Sequence, residues 1–296
     1  MTAIKKLPQS TVELRGEIAT ELFESYRAPA LAKLAQEVKL PGFRPGHIPN
    51  EVLTRELGEE TVLRRMAELA LNQHYPKLLA ENKIDALGRP SISITKIAAG
   101  NPLGFIITTA IYPEIILPDY RKLAREALVD GKKGSPSPEG EPLAPEIVTD
   151  EESKARDKRR LQIIEKIISA TPIDLPTILI NSELETMLAE MKHEVSKMGL
   201  PFDQYLTHLK KTELELKKEW ESPAEKRVKT GLVLAAIAQA EKIEVPENEL
   251  EQEVKNLLAQ QPKTDPTRAR AYLAGLMINE RVFRWLEEQT QKDPSK

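Results

Sequence analysis

The 296-residue sequence predicts an α+β N-terminal domain followed by an extended all-α C-terminal domain. Residues 11–19 alternate polar and apolar, which is typical of a half-buried strand, whereas nearly all of the chain from residue 149 has helical spacing. Aromatic residues make up only 4% of a chain that is 40% apolar and 30% charged. That balance favours long amphipathic helices over a dense β-sandwich, and the length suggests about two domains.

The N-terminal elements follow from periodicity and from helix stop signals. After the strand at 11–19 we expect a helix at 21–38 that is kinked or restarted at Pro29, because proline lacks the amide donor of a helix interior. Gly58 separates two further helices. Two β-branched-rich runs then predict a hairpin. The expected helices lie at 50–57 and 59–81, the hairpin strands at 91–97 and 103–112, and the domain spans residues 1–115.

Residues 116–148 are interpreted as a linker, because 130–145 consist of Gly, Ser, Pro and charged residues with no apolar face. The helical domain then covers residues 149–296. Within it, Ser222-Pro223-Ala224-Glu225 has the pattern of a capping box and predicts a kink or a new helix at this point. Helices with narrow apolar stripes predict an extended body that grips something larger than a metabolite. The expected helices are 149–170, 176–198, 202–210, 212–242, 246–260 and a last one ending near 289.

Charge and composition exclude several classes of protein. A net charge of −3 and a pI of about 6.0 disfavour a broad RNA-binding face, so a nucleic-acid contact would have to be local. Cysteine is absent, which excludes disulfides and thiolate metal sites. The N-terminus lacks the apolar core of a signal peptide, and the longest apolar run, 232–238, is too short to cross a bilayer. We therefore expect a cytoplasmic protein with no membrane partner.

The sequence offers no catalytic constellation. None of its four histidines has metal-ligand spacing to another, and no phosphate-binding loop, nucleophile elbow or zinc-protease pattern occurs. Paired carboxylates lie in charge runs, which are typical of solvated faces. We predict no catalytic residue, no metal and no cofactor.

One loop, residues 39–49, stands out. Its glycines permit backbone angles closed to other residues, while its prolines restrict the rest, so the tip is expected to be stiff. Phe43 beside Arg44 is typical of binding hot spots. Two interpretations are equally open: a docking tip, or a tight turn with Phe43 in the core. The candidate site residues are Lys39, Gly42, Phe43, Arg44, Pro45, Gly46, His47 and Pro49.

The segment PGFRPGHIP at 41–49 resembles the ribosome-binding signature of bacterial trigger factor, G-F-R-x-G-K-x-P. Further similarity covers residues 79–84 and 112–115 of the N-terminal half and 172–176, 199–206 and 224–229 of the C-terminal half. Two departures are visible. The gap at 127–148 is too short for the prolyl isomerase domain that the family usually carries there. His47 replaces the usual lysine, which lowers the positive charge of the loop at neutral pH.

The resemblance implies an ATP-independent chaperone at the polypeptide exit of the large ribosomal subunit. Its loop would contact an exit-tunnel protein and nearby rRNA, with Phe43 as the apolar anchor and Arg44 as the charged contact. Its helical body would hold nascent or unfolded polypeptides, and isomerase activity would be absent. The alternatives are a ribosome-free holdase or assembly chaperone, a prolyl isomerase, and a ribosome-bound adaptor without clients. A homodimer off the ribosome is left open.

Client-binding residues are less well defined by the sequence. Methionines are adaptable at promiscuous surfaces, and three of them share a helix stripe, although a core role for that stripe is the stronger expectation. Four apolar residues of the hairpin are either core or client surface, and alternation alone does not separate the two. These candidates are Met187, Met191, Met198, Ile92, Ile94, Phe105 and Ile107.

Overall fold

The computed structural model describes residues 3–44, 46–131, 150–261 and 264–291. The chain forms two compact units, and they are described separately. The first comprises Met1–Pro113 together with Asp174–Ile178, and the second comprises Glu114–Ile173 with Leu179–Lys296. In the described ranges, no helix is both long enough and apolar enough to span a bilayer.

The first unit contains a four-stranded antiparallel sheet with the strand order β1-β2-β4-β3. Its strands are β1 (Ala3–Leu7), β2 (Thr11–Ile18), β3 (Ala86–Lys96) and β4 (Leu103–Ile111). The predicted strand and hairpin are confirmed, but β1 is an additional strand. Four of its five residues are exposed and it lacks a buried face, so no alternation revealed it. It forms by pairing with β2 across a turn at Gln9 and Ser10, whose φ angles are 59° and 41°.

Four helices accompany the sheet: α1 (Thr20–Glu24), α2 (Arg27–Glu37), α3 (Asn50–Leu57) and α4 (Glu59–Glu81). The predicted bounds of α3 and α4 are confirmed, with Gly58 at φ 79° between them. The predicted helix at 21–38 is interrupted at residues 25–26 and restarts at Arg27, two residues before the restart expected at Pro29. Pro29 lies in the first turn of α2, where amide groups have no partner within the helix and the missing donor costs nothing.

The core of this unit lies between the helices and one face of the sheet. Leu14, Leu103 and Ile107 of the sheet and Phe23 and Met66 of the helices are completely buried. The buried side chains of the sheet come from alternate positions of β2 and β4, as a strand with one buried face requires. The N-terminal half therefore has its own hydrophobic core.

Residues 174–178 belong to this unit although residues 114–173 separate them from the rest of it along the chain. The Ser10 amide donates to Asp174 Oδ2 at 3.2 Å, and the Ser10 hydroxyl donates to the Asp174 carbonyl at 2.6 Å. The side chain of Ile178 covers Gly88, where an added Cβ would lie 2.1 Å from Ile178 Cδ1. This segment thus ties down the β1–β2 turn and the start of β3.

The second unit is helical in its described part, with α5 (Tyr120–Gly131), α6 (Asp150–Ala170), α7 (Thr177–Lys197), α8 (Phe202–Leu209), α9 (Glu213–Ala240), α10 (Glu247–Gln260) and α11 (Pro266–Gln291). Its buried cluster joins α5, α6, α9 and α11 and includes Ile163, Ile167, Leu234, Ile237 and Leu286. The α+β plus all-α fold class is thereby confirmed.

Part of the predicted linker is helical. Residues 116–148 were expected to be linker, yet residues 120–131 form α5, and Ala124 and Ala127 of this helix are buried in the second unit. The Gly/Ser/Pro-rich remainder, 132–148, lies outside the described residues. Tyr120, Leu123, Ala124 and Ala127 have the spacing of an apolar helical stripe, a signal that the interpretation of 116–148 as linker missed. Packing against α6 and α11 covers this stripe.

No new helix begins at Ser222–Glu225, because α9 continues through Pro223. The capping box lies instead at the start of α9. There the Glu215 amide donates to Thr212 Oγ1 at 3.2 Å, and the Thr212 amide donates to Glu215 Oε2 at 2.8 Å. Pro223 is exposed, so water can satisfy the carbonyl that its ring leaves unpaired. The exposed Pro76 inside α4 follows the same rule.

A charged network joins α6 to α11. The Arg160 guanidinium donates to Glu280 at 2.6 and 2.9 Å and to Glu287 at 2.9 and 3.2 Å. It also lies 5.4 Å from the Phe283 ring centroid. The hydrogen bond from Arg160 is the main reason that the pKa of Glu280 is lowered. Bidentate pairing of this kind fixes orientation as well as energy.

Candidate functional site

The loop between α2 and α3 is anchored at both ends. Val38 leaves the helix in an extended conformation, and Leu40 then packs against the core of the first unit. At the other end Ile48 is 5% exposed, and Pro49 takes the extended N-cap position of α3. The residues between these anchors are held out at the surface.

Backbone hydrogen bonds close the tip of this loop. The Phe43 amide donates to the Leu40 carbonyl at 3.2 Å, and the His47 amide donates to the Arg44 carbonyl at 3.0 Å. The Gly46 amide donates to the Ala35 carbonyl of α2 at 2.8 Å, which fixes the tip to the helix. Gly42 and Gly46 have φ angles of 87° and 81°, a region that disfavours any residue with a Cβ. Pro45 lies outside the described residues.

Phe43 is 40% exposed. The interpretation of the loop as a turn with Phe43 in the core is therefore wrong. Ile48 is the loop residue whose side chain is buried in the core. Lys39, Gly42, Arg44, Gly46, His47 and Pro49 are also exposed. The structure thus brings the described site residues together on one surface tip.

The tip carries positive charge that is not neutralised nearby. Among the described residues, Lys39 and Arg44 have no acidic side chain within salt-bridge distance. The acid that precedes the loop, Glu37, pairs with Arg65, which also pairs with Glu68 at 3.1 Å. Arg44 is therefore available for an external carboxylate or phosphate, beside an apolar ring.

No feature of the described residues points to catalysis. An open groove with a volume of about 890 Å³ lies where α1, α2 and α3 meet, floored by Ala28 and Leu31. Its arginine, Arg27, pairs with both oxygens of Glu59 at 2.5 and 2.7 Å, and this hydrogen bonding lowers the pKa of Glu59. In the described part of the chain, no group of three or more His, Asp or Glu residues is arranged to hold a metal ion.

The three candidate methionines differ in exposure. Met187 and Met191 are half-buried on α7, whereas Met198, just beyond its end, is 73% exposed. The sequence did not single out Leu200, Leu209 and Leu214, which are 41%, 40% and 77% exposed around the α7–α8 and α8–α9 turns. Leu214 lies off the buried stripe of α9. An apolar residue outside the helical periodicity was therefore the sequence signal that could have identified it as exposed.

The four hairpin candidates separate into two pairs. Ile92 lies opposite Ile107 and Ile94 opposite Phe105, so all four side chains share one face of the sheet. Phe105 and Ile107 are 2% and 0% exposed and belong to the core, which excludes a client contact through them. Ile92 and Ile94, on the edge strand, are 38% and 41% exposed.

Two family models match the chain in order. The model for the bacterial trigger factor protein matches residues 1–130, and the model for the bacterial trigger factor C-terminus matches residues 141–286. The chain belongs to the bacterial trigger factor family. The loop at 39–49 and the four-stranded sheet lie in the trigger factor N-terminal match, and the helical unit lies mostly in the C-terminal match.

Individual trigger factors show where the similarity concentrates. The trigger factor of Rhodococcus opacus (strain B4) is 34% identical over 123 residues, which cover 42% of this chain but only 26% of that protein. The trigger factor of Moorella thermoacetica is 22% identical over an alignment of 403 positions, covering 93% of this chain and 90% of that protein. That alignment is longer than this chain, so the Moorella protein contains a long segment without a counterpart here.

A solved structure shares the fold. It is described as "Promiscuous Substrate Recognition in Folding and Assembly Activities of the Trigger Factor Chaperone". The superposition covers 97% of this chain and 100% of that one, with a TM-score of 0.57 and 16% identity. At this identity the likeness concerns the fold alone.

Proposed function

We propose that this chain is an ATP-independent chaperone that docks at the polypeptide exit of the large ribosomal subunit and holds nascent polypeptides. The observation that carries the docking proposal is the loop at 39–49. It presents an exposed Phe43 beside Arg44, which has no acidic partner among the described residues, on a tip anchored at both ends, in a chain of the trigger factor family. These are the residues that match the ribosome-binding signature of that family.

Each part of the loop has a physical role in this proposal. Phe43 loses its contact with water on binding an exit-tunnel protein, while Arg44 pairs with a carboxylate of that protein or a phosphate of nearby rRNA. Lys39 and His47 add donors around it. The backbone hydrogen bonds, together with Gly42, Gly46 and Pro49, hold the described part of the tip in shape, so little conformational entropy is lost on docking.

Docking is tested by co-sedimentation of the full chain with large ribosomal subunits at fixed salt. The double substitution Phe43→Ala and Arg44→Ala should weaken binding by about thirtyfold or more, because truncated hot spots cost about 2 kcal/mol or more. Leu22→Ala with Arg64→Ala is the matched control, since both residues are exposed in the same unit. Equal sedimentation of the two double variants would contradict the proposed docking.

Client holding is proposed for the apolar surfaces of the helical domain and of the hairpin. Met198, with Met187 and Met191 behind it on α7, offers an adaptable contact, and Ile92 and Ile94 offer a second one. Suppression of aggregation of an unfolded model protein, at stoichiometric amounts and without ATP, measures this activity. Met198→Ser combined with Leu200→Ser should weaken it, whereas Leu161→Ser, which alters an exposed leucine of α6, should not.

We further propose functional parts at residues 1–115 and 149–296 with no prolyl isomerase domain between them, the intervening residues 116–148 including α5, which packs in the helical unit. The two family matches leave only residues 131–140 between them, and the alignment with the Moorella protein, over 403 positions, is longer than this chain. The full chain should therefore leave the rate of a proline-limited refolding reaction unchanged. Catalytic turnover in that assay would overturn this proposal.

A second candidate function is a ribosome-free assembly chaperone. It is favoured by the similar solved structure, which is described in terms of both folding and assembly activities. Aggregation suppression without any sedimentation of wild-type chain on ribosomes would select it. For both functions we propose the cytoplasm as the place of action, and analytical ultracentrifugation off the ribosome decides between monomer and homodimer.

A further inference from the structure

Strand β3 lies at the edge of the sheet. The strand order β1-β2-β4-β3 leaves it paired only with β4, so its other side carries amide and carbonyl groups that no strand of the described chain satisfies. Residues 91–96 are all exposed. A free, exposed strand edge is a template for an additional extended segment.

The side chains of β3 suit such a segment. Ile92 and Ile94 point to the face of the sheet that carries the core, where Ile107 and Phe105 of β4 are buried beneath the helices. The helix layer covers β4 and leaves β3 open, since Ile92 and Ile94 keep about two fifths of their surface exposed. An added strand would place alternate apolar side chains against them.

Two irregularities limit the length of this edge. The β3–β4 register shifts between Leu87 and Ser91 and again between Ile94 and Lys96, which leaves residues 91–94 in regular pairing. Bulges of this kind interrupt the continuous ladders on which aggregation depends. The edge therefore suits one short extended segment at a time.

Charge decides which segment fits. Arg89 and Lys96 flank the regular part of β3, both are exposed, and neither has an acidic partner among the described residues. In an antiparallel pair of two copies, Arg89 of each would approach Lys96 of the other, and a parallel pair would align like charges directly. Self-pairing is thus disfavoured, whereas an extended segment with acidic ends is attracted.

We infer that β3 binds client polypeptides as a fifth strand of the sheet, selecting extended segments with alternate apolar residues and acidic flanks. This inference rests on the proposed client-holding function and specifies its chemistry at Ile92 and Ile94. Main-chain hydrogen bonds supply affinity that is independent of client sequence, and the two isoleucines and two cationic ends supply a broad preference. Recognition of this kind suits a chaperone with many clients.

The test uses the full chain and a fluorescent eight-residue peptide, in which three Val-Thr repeats stand between two glutamates. Two further peptides are N-methylated, one on the valines and the other on the threonines. Alternate residues of a strand direct their amides to opposite edges, so one methylated peptide should bind like the parent and the other about tenfold or more weakly. Equal affinities of the two methylated peptides, or no binding of the parent, would overturn the inference.

Variants of the chain locate the peptide. Ile92→Ser with Ile94→Ser should weaken binding by about tenfold. Ile4→Ser, which alters a similarly exposed isoleucine on the opposite edge strand, should leave binding unchanged. Arg89→Glu with Lys96→Glu should reverse the preference, so that a peptide with lysine ends binds better than one with glutamate ends. An effect of Ile4→Ser alone, or an unreversed charge preference, would contradict binding at β3.

Aggregation suppression measured in parallel distinguishes a failure of strand addition from a failure of the proposed client-holding function. If the wild-type chain suppresses aggregation but the two methylated peptides bind alike, clients are held elsewhere and only the strand-addition inference fails. If the wild-type chain does not suppress aggregation, the proposed function fails as well, and strand addition then has no client to act on.

Discussion

The network around Arg160 gives a quantitative prediction for the helical unit. Its guanidinium side chain is only 12% exposed, and its two acceptors, Glu280 and Glu287, are 44% and 26% exposed. Arg160→Met keeps the apolar stem against Phe283 but removes four charged hydrogen bonds and leaves two carboxylates side by side. Removing one partner of a fully buried pair costs about 3–5 kcal/mol, whereas exposed pairs contribute about 0–1 kcal/mol. Because Glu280 and Glu287 are partly exposed and stay partly hydrated without Arg160, we expect Arg160→Met to lower the free energy of unfolding by about 2–3 kcal/mol.

The assay is urea unfolding followed by tryptophan fluorescence. The chain has two tryptophans, Trp220 in α9 and Trp285 in α11, and both lie in the helical unit, so the signal reports that unit alone. Arg64→Met is the control, because Arg64 and Glu60 form a pair that is 72% and 76% exposed. The control should cost less than about 0.5 kcal/mol in its own unit and leave the fluorescence transition unchanged.

The pH dependence gives a second check on the same network. The pKa of Glu280 is lowered chiefly by the hydrogen bond from Arg160, so its ionised form stabilises the folded state above the unfolded pKa of about 4.3. That contribution is lost as the pH falls through the lowered folded pKa. The difference between wild type and Arg160→Met should therefore shrink below about pH 4. A loss no larger than in the control, or one that does not change with pH, would refute the reasoning.

Three further substitutions test other features of the structure. Ile48→Ala should destabilise the first unit by about 2–4 kcal/mol, because it empties a buried site, while Phe43→Ala should cost clearly less; denaturant unfolding followed by circular dichroism compares them. Thr212→Ala removes the cap of α9 and should lower the stability of the helical unit by about 1 kcal/mol in the tryptophan assay. Asp174→Ala should speed hydrogen exchange at the Ser10 amide by removing its acceptor, and unchanged exchange would show that this contact is not populated in solution.

Local sequence was sufficient where one residue imposes the local conformation. Gly58 stopped α3 and allowed α4 to begin at Glu59, so the end of α3 and the start of α4 were predictable from this signal alone. The glycines and prolines of the loop at 39–49 likewise predicted an irregular, stiff tip between two helices. In these cases the backbone angles permitted to a residue determine the structure before any packing does.

Tertiary contacts decided the features that depend on neighbours distant in sequence. β1 exists because β2 offers it a ladder, and α5 because α6 and α11 bury its alanines. The hairpin shows the limit most clearly: Ile92, Ile94, Phe105 and Ile107 have the same alternation, yet one strand is central and the other is an edge. Alternation records which face a side chain takes, whereas strand order determines whether that face is covered. The sequence alone therefore determined the fold class, the family and the position of the irregular loop at 39–49, and only the tertiary structure separated the buried side chains from the exposed ones.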